Sequence, residues 1–126
     1  MYVENGDSLT VANKWKDQRA NVGVLNMASD RHPGGGWLRG ALAQEESLCL
    51  RSTLAVTLKR SYYPLPQLGA IWSPSVVVFR DELQNDCRML DAAEQYQVGV
   101  VSVPGLRRPP LTGDELDYRK RPLSLR

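Results

Sequence analysis

The sequence is short of the residues that most metal and redox chemistry requires. Among 126 residues it has one histidine, His32, and two cysteines, Cys49 and Cys87. One histidine and a scatter of acids supply no ligand cluster, so a metal site is not expected. Two cysteines without metal spacing indicate reduced thiols, and no segment near Met1 has the pattern of a targeting sequence; the expected setting is cytoplasmic or nuclear. A cysteine nucleophile would have to rely on His32, and the plainer alternative is a small buried apolar residue. No apolar run reaches the length of a membrane span, so no membrane partner is expected. A net charge of +2 is too small to indicate direct DNA binding. No internal repeat is visible.

What remains is an ordinary globular composition, 42% hydrophobic and 24% charged, in a length that allows one domain at most. Basic residues gather late, at Arg107, Arg108, Arg119, Lys120, Arg121 and Arg126, among Pro109, Pro110 and Pro122. Residues 107–126 are therefore expected to form a poorly ordered tail, with phosphate attraction as the alternative, and residues 1–106 to form the domain.

Three valine-rich runs read as strands: Val22–Met27, Val76–Phe79 and Val98–Val103. Their continuous hydrophobicity predicts strands covered on both faces, as in a parallel sheet under helices. Tyr2–Glu4 is a candidate fourth strand. Asp7 and Ser8 are N-cap residues for a helix through "LTVANKWKD", with Leu9, Ala12 and Trp15 toward the core. A second helix is expected from Ala41 to about Arg60, ended before Pro64 and Pro66, and a third, short one within "QNDCRMLDAAEQY". This order predicts an α/β fold with a mostly parallel or mixed sheet and flanking helices.

The densest chemistry lies in "HPGGGWLRGALAQEES", residues 32–47. Gly34, Gly35 and Gly36 permit positive φ and close approach by a ligand. Their N–H groups would form an anion-binding nest reinforced by the following helix N-terminus, a combination suited to a diphosphate. No Gly-Lys-Ser/Thr follows, which excludes a P-loop, and Arg39 occupies the third-glycine position of a dinucleotide fingerprint. A plain flexible loop is the competing reading. Glu45 and Glu46 in the first helical turn complement the helix dipole. At about 100° per residue they should point to different sides, and so do not form the opposed pair of ordinary glycosidases. One could reach a ligand on the loop while the other holds a hydroxyl.

The stretch "GVLNMASDRHPGGGWLRGALAQEESLCLRSTL" resembles the core signature of the microbial-type poly(ADP-ribose) glycohydrolases of bacteria and filamentous fungi. Their hallmark is a triple glycine followed, after a short spacer, by Gln-Glu-Glu. Here Gly34–Gly36 and Gln44-Glu45-Glu46 are separated by seven residues, Trp37 to Ala43. The flanks "VENGDSLTVA", "SYY", "SPSVVVFRD" and "VVSVPGLRRP" resemble the family as well.

The resemblance implies a macrodomain-like, three-layer fold that binds ADP-ribose. It implies exo hydrolysis of the ribose–ribose O-glycosidic bond of poly(ADP-ribose) with no metal and no cofactor. By position, Glu46 would be the catalytic acid/base and Glu45 would hold ribose hydroxyls. Gly34 to Gly36 would shape the diphosphate and ribose cradle, with Asn26 and Gln44 giving ribose contacts and loop support. A general acid needs a raised pKa, whereas a helix N-terminus lowers it, so burial or the neighbouring carboxylate must dominate. The family also carries a helical segment before the first strand. After the strand matching "VVSVPG" it continues into a second glycine-rich phosphate loop with a covering aromatic residue. Relative to it the chain is expected to be truncated at both ends, to expose sheet that a protein partner could cover, and to turn over polymer weakly or not at all. The alternatives are a non-catalytic ADP-ribose-binding module and an accessory protein unrelated to ADP-ribose.

Overall fold

The computed structural model describes residues 1–18 and 21–105. The expected tail from Arg107 lies outside the described residues. A three-stranded mixed sheet, with helices against it, gives the expected α/β class. In chain order the elements are α1 (Ser8–Lys16), β1 (Gly23–Ala28), α2 (Gln44–Arg51), α3 (Leu54–Thr57), β2 (Ile71–Val78) and β3 (Tyr96–Pro104). The sheet order is β1-β3-β2, with β1 parallel and β2 antiparallel to β3.

Helix α1 starts where the sequence indicates. Asp7 Oδ1 accepts hydrogen bonds from the N–H groups of Leu9 and Thr10, both at 3.0 Å, and satisfies two otherwise orphaned donors. Leu9 and Ala12 are buried. Trp15 instead meets Tyr2 edge-on, with ring centroids 5.7 Å apart, and Lys14 pairs with Glu4 at 2.8 Å. These contacts hold residues 2–4 beside the helix, so the fourth strand expected at Tyr2–Glu4 does not form.

The long helix expected over 41–60 starts at Gln44 and breaks at Ser52, whose backbone is extended (φ −146°, ψ 175°). Ser52 bridges Val78 in antiparallel fashion, and Thr53 exchanges hydrogen bonds with Val77: N–H to the Val77 carbonyl at 2.9 Å, and Oγ1 accepting from Val77 N–H at 3.0 Å. Bonding to β2 outweighs continued helix, and the Ser52 hydroxyl covers the break by donating to the Leu48 carbonyl at 2.6 Å.

Strand β2 is longer than its valine run and takes in Pro74 at a register shift between Ser73 and Val76. An edge strand tolerates that missing N–H. The short helix expected over 84–96 is only a 3-10 turn at Leu83–Asn85. Antiparallel neighbours need no crossover helix, and Asp86 and Cys87 take positive φ (56° and 48°), which turns the chain back toward β3.

The strands are not covered equally on both faces. In β1, Val24, Asn26 and Ala28 are buried while Gly23, Leu25 and Met27 are exposed. Val24, Val76, Val98 and Val100 form one core with Leu9, Leu48 and Leu54 of the three helices. Among the described residues the helices therefore cover one face of the sheet. Continuous hydrophobicity in β1 reflects a second face lined by Leu25 and Met27, not a second buried one.

Candidate active site

Strand β1 ends at Ala28 and releases the loop that carries the glycines. The Ser29 hydroxyl accepts from the N–H groups of Arg31 (3.3 Å) and His32 (3.1 Å), and Gly35 N–H closes a turn onto the His32 carbonyl at 2.9 Å. Gly34 and Gly35 have φ of +72° and +60°, where a side chain is strained. At Gly34 a Cβ would also lie 2.5 Å from the Trp37 ring and 3.0 Å from the Sγ of the buried Cys49.

The same turn carries the loop across the start of α2. Gly36 N–H donates to Glu46 Oε1 at 3.1 Å, and Ser29 N–H donates to Glu45 Oε2 at 2.7 Å. A Cβ on Gly35 would stand 2.6 Å from Glu46 Oε1 and 3.2 Å from Glu45 Oε2. The two carboxylates thus converge on one backbone point, contrary to the divergence expected from helical geometry. The Cα directions do diverge; the loop donors draw the flexible side chains together.

Their surroundings differ. Glu45 is buried, whereas Glu46 is half-buried at the cleft. Burial pushes the Glu45 carboxyl above its ordinary value; the Ser29 N–H and the Asn26 amide oppose this, and the Glu46 charge adds to the rise. Burial, with the nearby Glu45 and Glu46, pushes the Cys49 thiol up to about 12. Cys49 is therefore a thiol at neutral pH and no nucleophile, the plainer of its two readings.

Glu45, Glu46, Gly35 and Gly36 line one cleft of about 490 Å³ at the carboxyl end of β1, together with Ser29, His32 and Arg39. Asn26, Gln44 and Gly34 do not line it. Asn26 is fully buried behind Glu45, its amide donating to Ser102 Oγ at 2.9 Å and to Glu45 Oε1 at 3.4 Å. Gln44 lies along the free edge of β1, where its Oε1 accepts from Met27 N–H and its Nε2 donates to the Leu25 carbonyl, both at 2.9 Å. Among the described residues no strand pairs with that edge, and the carboxamide bonds its backbone groups as a neighbouring peptide would, which fixes the first turn of α2. Motif spacing does not single out Ser29, His32 and Arg39 as site residues; polar and basic side chains within the glycine segment are the signal that could have found them. Among the described residues no group of three or more His, Cys, Asp or Glu side chains is placed to hold a metal ion, and no helix is long and apolar enough to cross a membrane.

Residues 1–81 match the catalytic-domain family of microbial-type poly(ADP-ribose) glycohydrolase, PARG. Among solved structures, the chain is similar to PARG from Thermomonospora curvata bound to the inhibitor ADP-HPD. That likeness has 35% identity and a TM-score of 0.69, over 80% of this chain and 40% of that one. It is similar also to PARG from Deinococcus radiodurans in complex with ADP-ribose, at 28% identity and a TM-score of 0.67, over 82% of this chain and 43% of that one. The chain thus spans about two fifths of the length of these structures. No curated protein matches it. With its triple glycine, its convergent glutamates and this likeness, the chain belongs to the microbial-type poly(ADP-ribose) glycohydrolase family.

Proposed function

We propose that the cleft between Gly35–Gly36 and Glu45–Glu46 receives an ADP-ribose unit of poly(ADP-ribose), and that Glu46 serves as general acid and base in cleaving the ribose–ribose O-glycosidic bond. The observation that carries this reading is the convergence of both carboxylates over Gly35, with one buried and tied to β1 and the other open to the cleft. Because both stand on one side of the loop, they do not bracket a bond in the manner of paired-carboxylate glycosidases. A single acid/base is the chemistry this geometry supports.

In the forward step Glu46 gives its proton to the departing 2′-oxygen while positive charge develops on the sugar it leaves. The resulting carboxylate then takes a proton from the water that attacks that centre, which restores the acid. Glu45, anchored by Ser29 N–H and Asn26, holds ribose hydroxyls and keeps the reacting carbon near Glu46. Asn26 and Gln44 act from behind, one on Glu45 and the other on the start of α2. Gly34 gives Trp37 room to seat the loop. Residues 1–106 are taken as the partial catalytic domain.

The test pairs two measurements on the 126-residue chain: release of ADP-ribose from labelled polymer, and calorimetric titration with ADP-ribose. Glu46→Gln should lower any turnover by about 100- to 10,000-fold while ADP-ribose affinity stays within a few-fold. Unchanged turnover in that variant removes Glu46 from its role. Binding without turnover in the unaltered chain makes it a non-catalytic ADP-ribose module, and the absence of both overturns the reading.

A further inference from the structure

The glycine loop has little capacity left for an external anion. Gly36 N–H is taken by Glu46, Gly35 N–H by the His32 carbonyl, and the Gly34 backbone contributes to holding Glu45. The N–H groups expected to form an anion nest are thus taken up by the chain's own carboxylates and by the His32 carbonyl. The Glu45 carboxylate also places negative charge in the cleft to which the proposed ADP-ribose unit would bring its diphosphate. Two like-charged groups in one cleft repel unless a cation stands between or beside them.

The basic side chains lining the cleft are His32 and Arg39. Arg39 ends the 3-10 turn Trp37–Arg39, its N–H bonded to the Gly36 carbonyl at 2.9 Å, and Gly40 follows with φ +83°. The root of the side chain is thereby fixed to the glycine loop. Its guanidinium has no ion pair or hydrogen bond among the described residues. By contrast, neighbouring Arg31 lies 3.9 Å from the Asp30 carboxylate, and Arg51 is paired with Asp7 at 2.7 Å. A guanidinium presents a planar fork of donors that matches phosphate oxygens two at a time.

We propose that Arg39 is the phosphate-binding residue of this cleft, its guanidinium taking a phosphate of the ADP-ribose unit that the occupied loop N–H groups cannot hold. The assignment rests on the ADP-ribose reading of the cleft. It adds to that reading a group that offsets the Glu45 charge.

The experiment titrates the 126-residue chain with ADP-ribose, inorganic pyrophosphate and adenosine at two salt concentrations. The variants are Arg39→Ala, Arg39→Lys and, as a control of equal charge change outside the cleft, Arg31→Ala. Loss of a charge-assisted hydrogen bond predicts ADP-ribose affinity weakened about 10- to 100-fold in Arg39→Ala, with a flatter salt dependence. Arg39→Lys should fall between, adenosine affinity should not change, and Arg31→Ala should stay within about two-fold of the unaltered chain. Equal ADP-ribose affinity in Arg39→Ala overturns the assignment, as does an equal loss in Arg31→Ala. If the unaltered chain binds pyrophosphate through Arg39 but not ADP-ribose, the phosphate assignment stands and the ADP-ribose reading fails. If it binds neither, both fall.

Discussion

Gly35 lies against Glu46 so closely that a single methyl group on its Cα would stand 2.6 Å from Glu46 Oε1. Glycine is therefore needed there twice over, for the left-handed backbone at φ +60° and for the space that the carboxylates fill. Gly40 separates these two needs, since it has φ +83° but a methyl group on its Cα would meet no atom within 4 Å.

Alanine at Gly40 should cost only backbone strain, about 1 kcal/mol. Alanine at Gly35 should cost about 1–3 kcal/mol and, by pushing Glu46 aside, should also weaken ADP-ribose binding. Urea unfolding and calorimetry of both variants check this. A Gly35→Ala protein no less stable than Gly40→Ala, and equal to it in affinity, would show that the carboxylates do not need that space.

The raised Glu45 carboxyl makes stability depend on pH in a stated direction. A buried carboxyl whose folded pKa exceeds the unfolded one binds more protons in the native state, so stability falls as pH rises. The loss begins near the unfolded glutamate value, about 4.3, and is complete once pH has passed the raised folded value. Asp7 acts in the opposite sense. Burial works to raise its carboxyl, but the Arg51 guanidinium and the Thr10 N–H outweigh it and hold it below its ordinary value. Its contribution is present above the unfolded value and is lost as pH falls through the folded one. Glu45→Gln should remove the alkaline-going loss and leave the acid limb intact, as read by denaturant unfolding across pH 3 to 8. A variant that loses stability with rising pH as steeply as the unaltered chain would assign the loss to another group.

Arg51 is the largest of the fully buried side chains, and Asp7 Oδ2 holds it at 2.7 Å while Oδ1 caps α1. One carboxylate thus ties the start of α1 to the end of α2. Asp7→Asn keeps an N-cap but leaves the guanidinium unpaired. The expected cost is about 3 kcal/mol, at the low end for a buried pair because the Asp7 side chain is 28% exposed. Asp7→Ala should cost about 1 kcal/mol more through the lost cap. Adding Arg51→Met to Asp7→Ala should recover part of the loss, since an apolar side chain leaves no buried charge. Strictly additive losses in that double variant would contradict the coupling.

The sequence is most legible where local chemistry decides the structure. Asp7 caps α1 as its side chain requires, and the three valine runs become the three strands, because capping and β-branched runs act over a few residues. The break at Ser52 is not legible, since it depends on Val77 and Val78 of β2 offering backbone partners some 25 residues away. The convergence of Glu45 and Glu46 is hidden for a similar reason: helical spacing gives Cα directions, while Gly36 and Ser29 N–H groups direct the carboxylates. By its place in the motif Gln44 reads as a ribose contact or a loop support, and only the structure shows that both polar atoms of its carboxamide go to β1. Arg39 stands out in the sequence only as a departure from a dinucleotide fingerprint, and its place on the cleft wall follows from the turn that ends at Gly40.

The sheet face away from the helices carries a further expectation. By register, Leu25 and Trp72 flank Val101 across the three strands, and Gly23 stands opposite Gly99. A Cβ on Gly99 would stand 2.3 Å from the Trp72 ring, so the indole lies over that glycine and covers part of the bare backbone. Leu25, Met27 and Trp72 remain 53%, 64% and 59% exposed. Beside them, a groove of about 1110 Å³ runs between α1, the N-terminal residues and the outer side of β1. Such a contiguous apolar surface is uncommon on a protein that meets only water. The 126-residue chain should therefore bind a hydrophobic dye in its folded state and associate more strongly as its concentration rises. Leu25→Lys and Met27→Lys, at positions already in contact with solvent, should lower both signals while changing stability by about 0.5 kcal/mol or less. Gly99→Ala should act differently: displacing the Trp72 ring from its seat should raise dye binding and shift the tryptophan emission. Dye binding that is absent from the folded chain, or that survives both lysine substitutions, would show that this face is not the surface responsible.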